Sequence, residues 1–312
     1  MNQAYPFYPV KRFVTPAPVP YIATEEALPN NQRILVFLPH SDDGRYFGGS
    51  LHLLNRRNAV RIVIMSPGFL GVDQNLPIEE KTRLRWEEAV SWAQVLGFKS
   101  EQLVDFRADR TYTSQSVDEI EMERLRRLIL EQSPTMVFIP NLSDTAQAIN
   151  YNTRAMVVAS LLSFIEEQHR RDPSVFSPLL MVEYPTNHVP ILPPSDRNFV
   201  IFFNDPDLSR LRREANMAHR SQSTSCFDMT ESLVEAVHAI SEADTIHYLQ
   251  KRQNCAEKLR GITVDPRTSR GEHLGMTKLD VKGDTPAIVE IRLEFPLSDT
   301  DRQVWNRAVA GV

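Results

Sequence analysis

Hydrophobic and polar residues follow two different periods along the chain. Short apolar runs, typical of strands buried on both faces, cover residues 34–38, 60–65, 103–106, 136–139, 179–184 and 199–203. Between them lie segments whose apolar residues recur at spacings of three and four, which predicts amphipathic helices. These segments cover residues 49–57, 78–96, 117–132 and 152–168.

Strands that alternate with helices of this length predict an α/β fold. The sheet should be mostly parallel, with right-handed crossovers that place helices on both faces. In such a sheet, ligands bind beyond the carboxyl ends of the strands. Residues 206–260 are predicted to be mainly helical, and residues 287–295 alternate like a half-exposed strand. The carboxyl-terminal part should therefore be a helical and short β extension.

The chain divides into three regions. Prolines interrupt residues 1–32, so we expect an N-terminal arm without regular structure there. Residues 33–260 should form one α/β domain, and residues 261–312 an extension that packs on it. The sequence leaves open whether this extension adds an edge strand, covers the pocket or reaches a neighbouring subunit. The existence of a homo-oligomer is therefore also open.

Composition and charge exclude several classes of protein. The formal net charge is -5, from 35 Lys+Arg and 40 Asp+Glu, so no excess positive charge is available for a nucleic acid. The two cysteines, Cys226 and Cys255, provide neither a disulfide framework nor a CxxC pair for zinc. No apolar run approaches the roughly 18 residues of a membrane span. We expect a cytoplasmic protein with a small-molecule substrate.

The segment after the first predicted core strand carries the candidate chemistry. His40, Asp42 and Asp43 lie within four residues of one another. The imidazole and one carboxylate can bind the same cation, and the second carboxylate can take a proton from metal-bound water. This is most of a catalytic zinc site. The same segment could instead be a capped loop, in which Asp42 or Asp43 accepts hydrogen bonds from the amides of the next helix.

This segment, Pro39 to Gly44, resembles the opening motif of the LmbE-like, or PIG-L, family of metal-dependent de-N-acetylases. The family motif reads Ala/Pro-His-Pro-Asp-Asp-Glu and is followed by Gly-Gly. Three later segments also resemble the family's motifs, in the same order. They are Ser66–Gly71, Arg85–Ala89 and Arg212–Gln222. The resemblance covers about residues 33–222.

The resemblance implies a Rossmann-like α/β fold that carries a zinc hydrolase. By the same resemblance, His40 and Asp43 are the metal ligands and Asp42 is the general base. Water on the metal would attack an N-acetyl carbonyl while Asp42 takes its proton, which yields an amine and acetate. Asn150 falls at the position that assists the tetrahedral intermediate. Replacing Asp42 with Asn should then abolish turnover while preserving the fold.

The sequence departs from the family at its third ligand. The family uses a His-x-Asp-His motif, where residues 150–153 here read Asn-Tyr-Asn-Thr. The ligand position falls on Thr153, a poor zinc donor when neutral, and Gly44 replaces the Glu of the first motif. His188 and Asp144 are candidate substitute ligands. A different divalent metal with oxygen ligands, or a metal completed by substrate, remains open.

Two further residues of the motifs have alternative interpretations. Arg85 is a candidate substrate-binding residue for a hydroxyl or a phosphate, but we favour the interpretation that it pairs with Glu88 and fixes a loop. His219 is expected to pack or cap rather than to bind metal.

Two functions are compatible with these motifs. The first is a metal-dependent deacetylase of an N-acetylated amino sugar or related small molecule. The alternative is a non-catalytic family member that acts as a binding, regulatory or assembly protein. The retained acids favour the enzyme, because adjacent Asp42 and Asp43 repel each other unless a cation or hydrogen-bond donors offset their charges.

Overall fold

The structure of the chain is a computed structural model. It describes residues 21–23, 28–66, 68–69, 72, 75–113, 117–142, 148–171, 179–184, 198–202, 206–221 and 234–240. The carboxyl-terminal extension, the predicted strand at 287–295 and most of the N-terminal arm lie outside these residues.

Eight strands form one sheet, in the order β1-β7-β8-β6-β5-β2-β3-β4. Neighbouring strands from β6 to β4 pair in parallel, as β1 does with β7, whereas β8 is antiparallel to both β6 and β7. The prediction of a mostly parallel sheet is confirmed. The strands are β1 (Tyr21–Ala23), β2 (Arg33–Leu38), β3 (Ala59–Ile64), β4 (Leu103–Asp105), β5 (Met136–Pro140), β6 (Leu180–Tyr184), β7 (Asn198–Phe202) and β8 (Val234–Ile240).

Helices cover both faces of the sheet, as predicted. Leu51, Trp92 and Ala215, from α1, α2 and α6, belong to the core of one face, and Leu125 and Leu161, from α4 and α5, to that of the other. The helices are α1 (Gly48–Asn55), α2 (Ile78–Val95), α3 (Asp109–Thr113), α4 (Glu119–Gln132), α5 (Ala148–Arg171) and α6 (Pro206–Asn216). Among the described residues, no helix is long and apolar enough to cross a bilayer.

The central strand β2 shows why a continuous apolar run fits this architecture. Ile34, Val36 and Leu38 pack into one core, and Leu35 and Phe37 into the other. Successive side chains of a strand point to opposite faces, so a strand with helices on both sides needs apolar residues at every position. This pattern places β2 in the middle of the sheet, with β5 and β3 on either side.

Two predictions about the ends of the domain were wrong at particular residues. Residues 234–240, within the segment predicted to be mainly helical, form β8. Strand pairing on both sides, with β6 and β7, stabilises this segment as a strand whatever its local preference. The arm at residues 1–32 also contains regular structure, because Tyr21–Ala23 form the edge strand β1. Proline is tolerated beside an edge strand, since one side of its backbone needs no partner.

Strand β8 also fixes the start of α1 through Glu235. The Glu235 carboxylate accepts hydrogen bonds from the backbone N–H groups of Gly49 (2.9 Å) and Ser50 (2.7 Å) and from the Ser50 hydroxyl. Nε of Arg212 lies 2.7 Å from the same carboxylate. The first N–H groups of a helix have no partner within the helix, and a carboxylate suits the positive end of the helix dipole. Glu235 therefore joins β8, α1 and α6 where the loop from β2 enters α1.

Candidate active site

The candidate site lies in the loop between β2 and α1. His40 and Asp42 follow the carboxyl end of β2, and Asp43 begins a 3-10 turn that runs to Tyr46. One nitrogen or oxygen atom from each of His40, Asp42 and Asp43 lies within 4.8 Å of the other two. Among the described residues, this is the group of histidine and carboxylate side chains close enough to hold a metal ion.

His40 and Asp43 have the spacing of two ligands of one metal. Nδ1 of His40 lies 3.4 Å from Oδ2 of Asp43, and the side chains are 15% and 10% exposed. A tetrahedral zinc ion holds nitrogen and oxygen ligands at about 2.0–2.2 Å, which places two such atoms about 3.3–3.5 Å apart. The backbone N–H of His40 donates to the same Oδ2 at 2.8 Å, which fixes the carboxylate. This pair therefore fits a metal.

Asp42 has a different environment, because two buried guanidinium groups contact its carboxylate. Nη1 of Arg45 donates to Oδ2 at 3.0 Å, and Nη2 of Arg85 donates to Oδ1. Burial alone would raise the pKa of Asp42, but the charges of Arg85 and Arg45 outweigh this effect, so the pKa lies well below its usual range. Asp42 is therefore a firmly ionised carboxylate with a low affinity for protons.

Arg45 is the residue of this loop that sequence reasoning missed. Its side chain is fully buried, it donates from Nη2 to the Tyr46 hydroxyl at 2.8 Å, and its guanidinium lies over the Tyr46 ring. The sequence feature that could have identified Arg45 is its position three residues after Asp42, since residues three apart in a 3-10 turn lie on the same side.

The glycine that replaces the family's glutamate has a packing reason. A Cβ at Gly44 would lie 2.4 Å from Cη2 and Cζ2 of Trp92. The Trp92 ring is itself fully buried in the core between the sheet and α2. The room that a side chain at residue 44 would need is therefore occupied by the indole.

Arg85 has two carboxylate partners. Its Nη1 lies 3.7 Å from Oε2 of Glu88, so the pairing favoured from the sequence is confirmed. The contact of Arg85 with Asp42 was not anticipated. The Arg85 side chain is 1% exposed, and its role in substrate binding stays a prediction.

The family's third ligand position lies in α5. Thr153 is 1% exposed in that helix. Asn150 has its backbone in the first turn of α5, and its side chain lies outside the described residues. The two candidate substitute ligands, Asp144 and His188, also lie outside them.

His219 packs beside the site, as expected, just beyond the end of α6. It is 2% exposed, and its ring centroid lies 6.1 Å from that of Trp92. Neither ring nitrogen has a hydrogen-bond partner among the described residues. Burial lowers its pKa to about 3, and Asp42 opposes that shift only in part. The imidazole is therefore neutral at physiological pH.

We expect this buried imidazole to make the stability of the protein sensitive to acid. Because the folded pKa lies below the ordinary value of 6.5, unfolding takes up a proton between pH 6.5 and pH 3. The free energy of unfolding should fall by about 1.4 kcal/mol per pH unit below pH 6.5, and by about 2 kcal/mol at pH 5. Urea unfolding of the wild type and of His219→Phe at pH 7, 6 and 5 measures this contribution. Equal pH dependence in the two proteins would contradict it.

Residues 35–157 match the family model PIG-L, described as GlcNAc-PI de-N-acetylase. This match confirms the resemblance of the motifs that lie within these residues. It spans the His40–Asp43 loop, Arg85 and Thr153. No curated protein sequence matches the chain.

Solved structures of similar fold include two enzymes with different named activities. The N,N'-diacetylchitobiose deacetylase from Pyrococcus horikoshii is 18% identical, with a TM-score of 0.51 over 68% of this chain and 85% of that one. GalB, the 4-carboxy-2-hydroxymuconate hydratase from Pseudomonas putida KT2440, is 14% identical, with a TM-score of 0.50 over 66% of this chain and 94% of that one. At such identities the likeness shows the fold, and the two names show that the fold alone does not select the reaction.

Proposed function

We propose that the protein is a metal-dependent amide hydrolase, and the match of residues 35–157 to the PIG-L family model supports this proposal. Its substrate is an N-acetylated amino sugar or a related small molecule, from which it releases acetate. The observation that carries the proposal is the 3.4 Å spacing of His40 Nδ1 and Asp43 Oδ2 at the carboxyl end of β2. An imidazole nitrogen and a carboxylate oxygen are ligands that zinc accepts.

His40 and Asp43 would hold the metal in this proposal. A divalent ion bound there would supply a Lewis acid for the acyl carbonyl and lower the pKa of water. Catalytic zinc sites usually have three protein ligands, so two residues alone hold a metal weakly. The family's third ligand position falls on the buried Thr153, a poor neutral donor, so in this proposal the third ligand comes from Asp144 or His188, or from the substrate.

Asp42 is the proposed proton acceptor, and Asn150 the proposed donor to the developing oxyanion. Both assignments come from the family's motifs. The contacts of Arg45 and Arg85 with Asp42 make it a weaker base than a group whose pKa lies near neutrality. The same two contacts hold the carboxylate in one orientation, in which it would take the proton.

A second candidate function is binding without turnover. The observation that favours it is the same pair of guanidinium contacts, which engages both oxygens of the proposed proton acceptor. Metal binding separates the two candidates, because the enzyme needs an ion held by His40 and Asp43 and the binding protein does not.

Zinc titration of the untagged, chelator-treated chain tests the proposal. We expect the wild type to bind about one zinc ion per chain. Asp43→Ala should bind zinc about 10- to 100-fold more weakly, or worse, because it loses the carboxylate ligand and keeps only His40 of the pair. Asp207→Ala, whose side chain is 80% exposed on α6, is the matched control and should bind zinc like the wild type.

The zinc-loaded wild type should release acetate from N-acetylated amino sugars, and Asp43→Ala should not. A wild type that binds no divalent metal would overturn the proposed hydrolase and support the binding protein. A wild type that binds zinc but leaves every N-acetylated amine intact would retain the metal site and reject the deacetylase.

A further inference from the structure

A line of four buried polar side chains connects the end of α6 to the candidate site. Ser221 donates from its backbone N–H to Oε1 of Glu88 at 2.6 Å and from its hydroxyl to Oε2 at 2.7 Å. Oε2 of Glu88 lies 3.7 Å from Nη1 of Arg85, and Nη2 of Arg85 donates to Asp42. We propose that Glu88 and Ser221 are positioning residues, which hold the Arg85 guanidinium against Asp42. The catalytic consequence of this inference rests on the proposed function.

Neighbouring groups restrict the position of the Arg85 guanidinium on two sides. Glu88 lies three residues later on α2, so the two side chains share one face of the helix. On the other side, a Cβ at Gly68 would lie 3.2 Å from Nη2 of Arg85 and 3.1 Å from Cδ2 of His40. The guanidinium therefore fits between a carboxylate and the loop that also covers the His40 ring.

Fixing the Arg85 side chain in this position costs conformational entropy. An arginine side chain has about 2 kcal/mol of rotamer entropy to lose when it is fixed in one position. The planar guanidinium loses less of it when its two Nη groups already have partners. Asp42 and Glu88 provide these partners at Nη2 and Nη1. Without Glu88, one edge of a buried cation would lack its carboxylate, and the guanidinium would shift.

Ser221 fixes Glu88 in turn. Its two hydrogen bonds reach both oxygens of the carboxylate, which is 5% exposed. Ser221 follows α6 and lies outside residues 35–157, the segment that matches the family model. Ser221 therefore reaches the candidate site through a carboxylate and a guanidinium.

Arginine side-chain NMR tests the inference directly. In protein labelled with nitrogen-15 arginine, the Arg85 Nε–H signal is assigned by its absence in Arg85→Lys. We expect this proton to exchange with water at least about tenfold faster in Glu88→Gln and in Ser221→Ala than in the wild type. Ser221→Thr, which keeps the hydroxyl, should restore slow exchange. Glu87→Gln, with a side chain that is 55% exposed on the same helix, is the matched control.

Kinetics adds the catalytic readout. In the zinc-loaded protein, Glu88→Gln should lower kcat by about tenfold or more while KM and the zinc Kd stay within about twofold. An unchanged Arg85 signal in Glu88→Gln would overturn the positioning role, whatever the activity. A wild type without zinc binding or turnover would instead defeat the proposed function, and the NMR comparison would still decide whether Glu88 and Ser221 position Arg85.

Discussion

Asp42→Asn is expected to lower the free energy of unfolding by about 3–5 kcal/mol in the metal-free protein. The substitution leaves the shape of the side chain but removes the charge that Arg45 and Arg85 share. The two arginines are 0% and 1% exposed, so water cannot replace the lost carboxylate. Guanidinium unfolding followed by tryptophan fluorescence measures the change.

The matched control for this variant is Asp109→Asn. Asp109 pairs with Arg107 at 2.7 Å, but the side chains are 39% and 44% exposed, so its loss should change stability by at most about 1 kcal/mol. Adding Arg45→Met to Asp42→Asn should recover part of the stability, because one unpaired buried cation is removed. A loss below about 1 kcal/mol for Asp42→Asn would show that the two contacts contribute little.

Asp42 thus has a structural role beside its proposed chemical one. The sequence predicted that Asp42→Asn would abolish turnover and preserve the fold, because the motif identifies the carboxylate only as a base. The structure adds that the same carboxylate is the counter-ion of two buried arginines. Loss of activity in this variant must therefore be compared with its loss of stability before it is assigned to chemistry.

The central part of the fold was predictable because its signal is local. A run such as residues 34–38, apolar at every position, can be buried only where both faces of a strand are covered. The strand β8 was missed because its stability comes from β6 and β7, which lie far away in the chain. Its buried Glu235 also breaks the apolar pattern of a core strand, and the donors that satisfy it are on α1 and α6.

The grouping of His40, Asp42 and Asp43 at one place was also predictable, because the three residues are nearly adjacent in sequence. Their surroundings were not. Arg45 is an ordinary charged residue in the sequence, and only the folded loop shows it buried against Asp42. Ser221 and Glu88 belonged to separate motifs, and their contact spans 133 residues of the chain.

Glu235→Gln is expected to lower the free energy of unfolding by about 3–5 kcal/mol, which corresponds to a melting temperature about 10 °C lower. Two losses combine. Arg212, 3% exposed, loses its charged partner, and the start of α1 loses a carboxylate that accepts from the N–H groups of Gly49 and Ser50. The amide NH2 of the glutamine is itself a donor, and it would face N–H groups that need an acceptor.

Scanning calorimetry of Glu235→Gln, beside Glu214→Gln as the control, measures this loss. Glu214 lies 3.8 Å from Arg210 with its side chain 59% exposed, so its change should be at most about 1 kcal/mol. Arg212→Met added to Glu235→Gln removes the unpaired cation but not the unsatisfied start of α1. The stability that Arg212→Met recovers therefore measures the cost of the unpaired buried charge. The loss that remains measures the contribution of the Glu235 carboxylate to the start of α1. Complete recovery would contradict a role for Glu235 at the start of the helix.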